Sequence, residues 1–241
     1  MGEVAHNARD IAVEALWPTR CAICDAPGEV LCSACASKLR YLDQWQACPR
    51  CGAPFGRIAC TECNPIALGR LDRKELPYRS CVSATVFSPE AGSIVRLYKD
   101  GDEKRLSKAM ASMMARSIPP DWRIDAVTFV PATKAAMRRR GFDHGRLLAT
   151  ELGTLIRKPV AATLESPHTA DQRGLTREER LENLAGRFSA LDSAEGYARL
   201  TPTLLLIDDV YTTGSTLCAA TDALLAAGFE QVYCATFTRV Y

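Results

Sequence analysis

The stretch Leu204-Leu-Leu-Ile-Asp-Asp-Val-Tyr-Thr-Thr-Gly-Ser-Thr216 decides the fold of this chain. Its four consecutive aliphatic residues indicate a strand that is buried on both faces, as in a parallel sheet. Two carboxylates, Asp208 and Asp209, follow the aliphatic run, and a turn of hydroxyl residues around Gly214 comes next. Apolar residues at helical spacing follow the turn. The sequence therefore predicts a strand, an acidic pair, a hydroxyl-rich turn and a helix N-terminus in succession.

This succession of elements also indicates a ligand. Ligands of open α/β sheets bind just beyond the carboxyl ends of the strands. Backbone N–H groups at a helix start attract phosphate, and Gly214 lets the backbone approach it closely. The two carboxylates suit a sugar diol or a hydrated Mg²⁺ ion. A ribose 5-phosphate needs both features: a helix start that binds its phosphate and, beside it, two carboxylates that bind its diol, which we call the diol clamp.

The stretch resembles the phosphoribosyl-pyrophosphate (PRPP) signature of the type I phosphoribosyltransferases. The resemblance implies that the acidic pair holds the ribose 2- and 3-hydroxyls and that the turn holds the 5-phosphate. A Walker B strand also ends in acids, but it requires a phosphate loop with a Gly-Lys pair, which this chain lacks. A buried strand capped by Asp before an ordinary helix is the alternative without a ligand. The predicted PRPP-binding residues are Asp208, Asp209, Val210, Tyr211, Thr212, Thr213, Gly214, Ser215 and Thr216, with the two aspartates as the catalytic candidates.

The cysteines predict a separate metal-binding region. Eight of the eleven cysteines lie in the first 63 residues, as four CxxC pairs. Two such pairs complete one tetrahedral Cys₄ site, so four pairs imply two structural Zn²⁺ ions. Thioredoxin-like redox chemistry is the alternative, but it uses one CxxC in a βαβ context. We expect sequential pairing of these ligands, with interleaved pairing left open: Cys21, Cys24, Cys32, Cys35, Cys48, Cys51, Cys60 and Cys63.

Composition limits the possible classes of protein. The net charge is +2 over 241 residues, so there is no global attraction for nucleic acid. No run of 18 apolar residues predicts a transmembrane helix. Charged residues such as Glu3, Arg9 and Asp10 argue against a signal peptide, and reduced cysteines then fit the cytoplasm.

Strands that alternate with helices predict an α/β fold with a parallel sheet flanked by helices. We expect a double zinc-ribbon domain with a short N-terminal helix over residues 1–70 and a phosphoribosyltransferase-like domain over 78–241. A charged, proline-containing linker spans 64–79. Strands are predicted at 80–87, 126–130, 160–164, 204–210 and 231–239, and helices at 5–17, 91–99, 104–118 and 145–156.

A basic segment follows the second predicted strand. Lys134, Arg138, Arg139 and Arg140 lie within seven residues, and guanidinium groups suit a pyrophosphate. A solvated basic loop is the alternative for such a charge run. Position alone does not separate pyrophosphate from the phosphates of a nucleic acid.

Taken together, the cysteine pairs and the transferase-like domain resemble the ComF family of competence-associated proteins. The family carries an Arg-Gly-Phe-Asn-Gln-like segment after a Val-Pro strand end. Here Val130-Pro131 precedes Arg140-Gly141-Phe142, and Asp143-His144 replaces the Asn-Gln pair. A further pattern of the family, in a loop that would close over PRPP, matches Thr169, Gln172, Leu175, Arg180, Asn183 and Phe188.

The resemblance implies two kinds of role. As an enzyme, the chain would let a nucleophile displace pyrophosphate at C1 of PRPP, with Mg²⁺ on the leaving group. Gln172 and Arg180 then join the basic segment as pyrophosphate candidates. As a competence protein, it would help to bring transforming single-stranded DNA into the cytoplasm, together with DNA-uptake proteins. We expect a ComF-like protein that binds PRPP and Mg²⁺, with an active phosphoribosyltransferase of nucleotide or amine metabolism as the alternative.

Overall fold

The computed structural model describes residues 18–70, 72–167 and 188–241. Its centre is a four-stranded sheet in the order β1-β4-β3-β2, with every neighbouring pair parallel. The predicted α/β fold class is therefore confirmed. The strands are β1 (Ser80–Val86), β2 (Ala126–Phe129), β3 (Thr203–Tyr211) and β4 (Gln231–Arg239).

Helices cover both faces of this sheet, as parallel strands require. The helices are α1 (Ser33–Ala36), α2 (Pro65–Gly69), α3 (Pro89–Asp100), α4 (Leu106–Ser117), α5 (Lys134–Arg140), α6 (His144–Ile156), α7 (Ala194–Ala198) and α8 (Ser215–Ala226). Residues alternate across the pleat of β3. Leu205 and Ile207 pack on one face with helices α3, α4 and α6, while Leu204 and Leu206 pack on the other face with α8.

The cysteine-rich region wraps around the β1 edge of the sheet. The Leu42 N–H donates to Ala84 O at 3.0 Å, and the Val86 N–H donates to Arg40 O at 2.8 Å, so this segment covers an otherwise open strand edge. The chain before this segment packs with the α3, α4 and α6 face, and the chain after it packs with the α8 face. The two halves of the cysteine-rich region therefore lie on opposite faces.

The predicted linker is part of the core. It contains helix α2, whose Pro65 follows the capping residue Asn64. Leu68, Leu76 and Tyr78 are buried in the cluster that also holds cysteines of the second half. The proposed domain boundary between residues 70 and 78 thus crosses a continuous apolar cluster.

One of the predicted strands is not formed in the structure. Residues 160–164 form no strand, only isolated bridges at Val160 and Leu164. Pro159 lies beside β2 and can accept a hydrogen bond but cannot donate one, which limits pairing at this edge.

The basic segment is a helix rather than a loop. The side chain of Thr133 accepts a hydrogen bond from the Ala136 N–H and begins α5, and Gly141 ends it in the left-handed conformation, with φ +74°. The predicted helix over 5–17 and the loop over 168–187 lie outside the described residues.

Candidate functional site

The eight paired cysteines form two compact clusters of sulfur atoms. The ligand atoms within each cluster of four lie within 4.8 Å of one another. The Sγ–Sγ distances are 3.8 Å for Cys24–Cys32, 3.6 Å for Cys48–Cys63 and 3.5 Å for Cys51–Cys60. A tetrahedron with Zn–S bonds of about 2.3 Å has S–S edges of about 3.8 Å, so both clusters fit Zn²⁺.

The pairing of the predicted ligands is sequential. We call Cys21, Cys24, Cys32 and Cys35 the first zinc site and Cys48, Cys51, Cys60 and Cys63 the second zinc site. Four thiolates leave no open coordination position, so both sites are structural.

The acidic pair lies at the carboxyl end of β3, in the middle of the sheet. Asp208 is half-buried and Asp209 is only 3% exposed. The Lys99 Nζ, from the last turn of α3, lies 2.5 Å from Asp209 Oδ2. The Asp209 N–H donates to Asp208 Oδ1 at 2.9 Å. The two carboxylates are therefore neighbours with different electrostatic surroundings.

This difference separates the pKa values of the two carboxyl groups. Burial, and then the charge of Asp209, raise the pKa of Asp208 well above its usual range. Burial also opposes ionisation of Asp209, but Lys99 and His144 outweigh it and hold the pKa of Asp209 below its usual value. The pair thus retains a proton on Asp208 more readily than on Asp209.

The hydroxyl-rich turn connects the acidic pair to the N-terminus of α8. Gly214 has φ +78°, and a Cβ atom there would run into the ring of Tyr211. Thr213 Oγ1 and Ser215 Oγ are 2.9 Å apart, while the side chains of Thr212 and Thr213 are exposed. The turn therefore presents hydroxyls and the first N–H groups of a twelve-residue helix beside Asp208.

The basic residues of α5 divide into two groups. Arg139 and Arg140 donate to Asp100 Oδ1 at 3.3 and 3.0 Å and, with Lys99, line a cavity of about 640 Å³. The other two, Lys134 and Arg138, are exposed on the same helix and do not line this cavity. Gln172 and Arg180 lie outside the described residues, so their predicted contact with pyrophosphate stays a prediction.

The segment after α5 joins this cavity to the end of β2. Asp143 caps α6 by accepting from the Arg146 N–H at 3.2 Å, and its other oxygen accepts from the Ala132 N–H at 3.3 Å. Arg140 donates to His144 Nδ1 at 3.3 Å. Burial lowers the pKa of His144; the charge of Asp209 opposes this shift, and the cations Lys99 and Arg140 add to it. Asp143, which replaces the Asn of the family segment, thus holds the loop in place.

A buried arginine connects the second zinc site with the turn. Arg239, at the end of β4, is fully buried and donates to Cys51 O at 2.6 Å and to Glu62 Oε2 at 2.5 Å. Its guanidinium carbon lies 4.0 Å from the centroid of the Tyr211 ring. The Tyr211 hydroxyl lies 3.2 Å from that of Tyr78.

The roles of Lys99, His144 and Arg239 are not predicted from the sequence. Lys99 lies at the end of a predicted helix, and Arg239 is the last residue of a predicted strand. Their proximity to the acidic pair and the turn follows from the order of the strands, which no local pattern indicates. The sequence signal that could have indicated this cavity is the acidic turn Asp100-Gly101-Asp102, which follows Lys99.

Known proteins align in sequence with both parts of this chain. Residues 12–64 match the family described as a double zinc ribbon domain. The chain is 27% identical over 233 residues to the DNA utilization protein YhgH of Salmonella typhi, covering 90% of this chain and 96% of that protein. It is 28% identical over 214 residues to the competence protein ComFC of Bacillus subtilis, covering 84% of this chain and 80% of that protein.

Homologues named for competence and DNA utilization cover most of this chain. A further relative is competence protein F of Haemophilus influenzae, 24% identical over 214 residues and covering 84% of this chain and 87% of that protein. The predicted resemblance to the ComF family is therefore confirmed. Among the described helices, none has the length and apolar character needed to cross a bilayer.

The sequential pairing predicts the metal content of matched variants. Zinc-loaded protein should contain two zinc ions per chain, and the double change Cys24→Ser and Cys32→Ser should leave one, because both of these ligands belong to the first site. Elemental analysis of the purified proteins checks this. Absence of both ions from that variant would instead indicate interleaved ligands.

Proposed function

We propose that this protein binds PRPP with Mg²⁺ at the carboxyl edge of its sheet and acts in the uptake of transforming DNA. The observation that supports PRPP binding most directly is the succession of Asp208, Asp209 and the left-handed Gly214 turn at the start of α8. Carboxylates and helix N–H groups stand side by side there, as a diol and a phosphate on one ribose require.

Each part of the proposed ligand has a corresponding group in the chain. The carboxylates of Asp208 and Asp209 accept hydrogen bonds from the ribose hydroxyls. The turn over 212–216 binds the 5-phosphate through N–H and hydroxyl groups. Lys99, Arg139 and Arg140 supply positive charge for the pyrophosphate, and a Mg²⁺ ion on the pyrophosphate would neutralise the rest.

The competence role rests on the homologues. Relatives named for competence and DNA utilization align over 84–90% of the chain, so they span both the ribbons and the sheet. The exposed Lys134 and Arg138 lie on the part of α5 that is not paired with Asp100. We propose that they contact phosphates of single-stranded DNA, with DNA-uptake proteins as further partners.

A second candidate function is phosphoribosyl transfer itself. In that reaction a nucleophile forms a bond to C1 of PRPP while the C1–O bond to pyrophosphate breaks, and the electron pair leaves with pyrophosphate. The Lys99–Asp209 ion pair favours it, because charges that are already fixed in position stabilise the charge that develops in the transition state. Release of pyrophosphate from Mg²⁺-PRPP across a panel of bases and amines would identify the acceptor.

The double change Asp208→Asn and Asp209→Asn should weaken PRPP binding by about 2–5 kcal/mol, the cost of removing charged hydrogen-bond partners. Calorimetric titration with Mg²⁺-PRPP measures this, and circular dichroism checks the fold. The exposed Asp192→Asn serves as the matched control. Unchanged affinity in the folded double variant would remove the proposed diol clamp.

Binding of Mg²⁺-PRPP should release a proton from Asp208. Because its pKa is raised, this carboxyl holds its proton to higher pH than an ordinary aspartate, whereas diol and metal binding need the ionised form. Affinity should therefore rise with pH through the free-protein pKa of Asp208 and level off above it. Calorimetric titration in two buffers with different ionisation enthalpies gives the number of protons released on binding. Asp208→Asn should abolish this proton release.

The two groups of basic residues on α5 should separate PRPP binding from DNA binding. Lys134→Ala with Arg138→Ala should weaken the binding of single-stranded DNA. The slope of log K against log salt concentration should also become shallower, by about 0.7 for each phosphate that is no longer neutralised. Arg139→Ala with Arg140→Ala should instead weaken PRPP binding. Fluorescence anisotropy with a labelled oligonucleotide and calorimetry with PRPP measure the two affinities. Equal weakening of both ligands in both variants would contradict this division.

A further inference from the structure

We propose that the second zinc site positions the phosphate-binding turn through Arg239 and Tyr211. The inference rests on the proposed function for its meaning, since the turn is the proposed 5-phosphate site. Arg239 is then a positioning residue, because its guanidinium lies on the Tyr211 ring and acts on the turn through that ring.

The burial of the Arg239 cation ties it to the second zinc site. A guanidinium that is fully buried is costly unless charged and polar partners surround it. Both of its hydrogen-bond partners come from the second zinc site: the carbonyl of Cys51, a ligand, and the carboxylate of Glu62, which lies between the ligands Cys60 and Cys63. The geometry of that zinc site therefore determines where the guanidinium sits.

The second zinc site also approaches the sheet closely. Gly52 follows Cys51 and has φ +74°, the left-handed region that favours glycine. A Cβ atom at Gly52 would collide with the carbonyl of Cys81 in β1 and would lie 3.4 Å from Arg239 Nη1. The zinc-bound turn is thus seated directly against β1 and the Arg239 side chain.

The Tyr211 ring leads from Arg239 to the phosphate-binding turn. The guanidinium lies over one face of this ring, and Tyr211 Oη pairs with the hydroxyl of Tyr78. The same ring occupies the space that a Cβ atom of Gly214 would need. Because Tyr211 is 5% exposed and held on these sides, its ring fixes the path of the backbone at Gly214.

The first zinc site provides an internal control. Its half of the ribbon packs with the α3, α4 and α6 face of the sheet, whereas Tyr211 packs in the opposite cluster. Among the described residues, no hydrogen bond or ion pair joins its four cysteines to Tyr211 or Arg239. Removal of this first ion should therefore leave the turn in place.

Amide hydrogen exchange in the ligand-free, zinc-loaded protein tests the connection without relying on PRPP. Arg239→Met keeps an unbranched side chain of similar length but removes the charge and the hydrogen-bond donors of the guanidinium group. We expect exchange in residues 211–216 to accelerate about tenfold, the size of effect seen for residues that connect two sites. Arg73→Met is the matched control, because Arg73 pairs with Asp222 in the middle of α8. Unchanged exchange at the turn in Arg239→Met would overturn the inference.

A second experiment uses cobalt as a spectroscopic probe of each zinc site. Cys24→Ser with Cys32→Ser leaves Co²⁺ only in the second site, and Cys60→Ser with Cys63→Ser leaves it only in the first. Addition of Mg²⁺-PRPP should shift the visible absorption bands of Co²⁺ in the second site and leave those of the first unchanged. A shift in the first site alone, or in neither site while PRPP binds, would contradict the proposed path.

These readouts separate the inference from the proposed function. If the wild-type protein does not bind PRPP, the proposed function fails, and the exchange experiment still decides whether Arg239 holds the turn. If PRPP binds the wild type and Arg239→Met with equal affinity and the turn exchanges equally in both, only the inference fails. If Arg239→Met weakens PRPP binding and loosens the turn while Arg73→Met does neither, both stand.

Discussion

The structure depends on the position of β3, which hydrogen-bonds to β2 on one side and to β4 on the other. In a parallel sheet every strand ends at the same edge, so this central pairing brings the ends of three strands together. Asp208 and Asp209 stand at the middle of that edge, Asp143 and His144 follow β2, and Arg239 ends β4. Moving β3 to an outer position would separate these groups.

A second constraint is the cost of charge at this buried edge. Asp209 is almost inaccessible to water and Arg239 is fully inaccessible. Each has an opposite charge beside it, Lys99 for the aspartate and Glu62 for the arginine. Lys99 comes from the end of α3 and Glu62 from the second zinc site. The buried charges thus tie a helix and a ribbon to the sheet edge, where the ribbon and the α/β part already share one apolar cluster.

The sequence predicted those features that local patterns encode. A run such as Leu204–Ile207 is typical of a buried strand, and four CxxC pairs have few other uses than metal binding. The basic segment is not among the predicted helices, yet the cap at Thr133 and the stop at Gly141 make it a short helix. Lys99 and Arg239 could not be predicted as site residues, since their importance arises from strand order and burial, which depend on contacts between residues distant in sequence.

We propose that the carboxyl edge of the sheet is a PRPP site. Calorimetric titration of the zinc-loaded wild-type protein with PRPP, in the presence and absence of Mg²⁺, tests it most directly. The arrangement of Asp208, Asp209 and the Gly214 turn predicts saturable binding of one PRPP per chain that requires Mg²⁺ and is displaced by ribose 5-phosphate. The absence of saturable binding, or binding that ribose 5-phosphate does not compete for, would contradict the account.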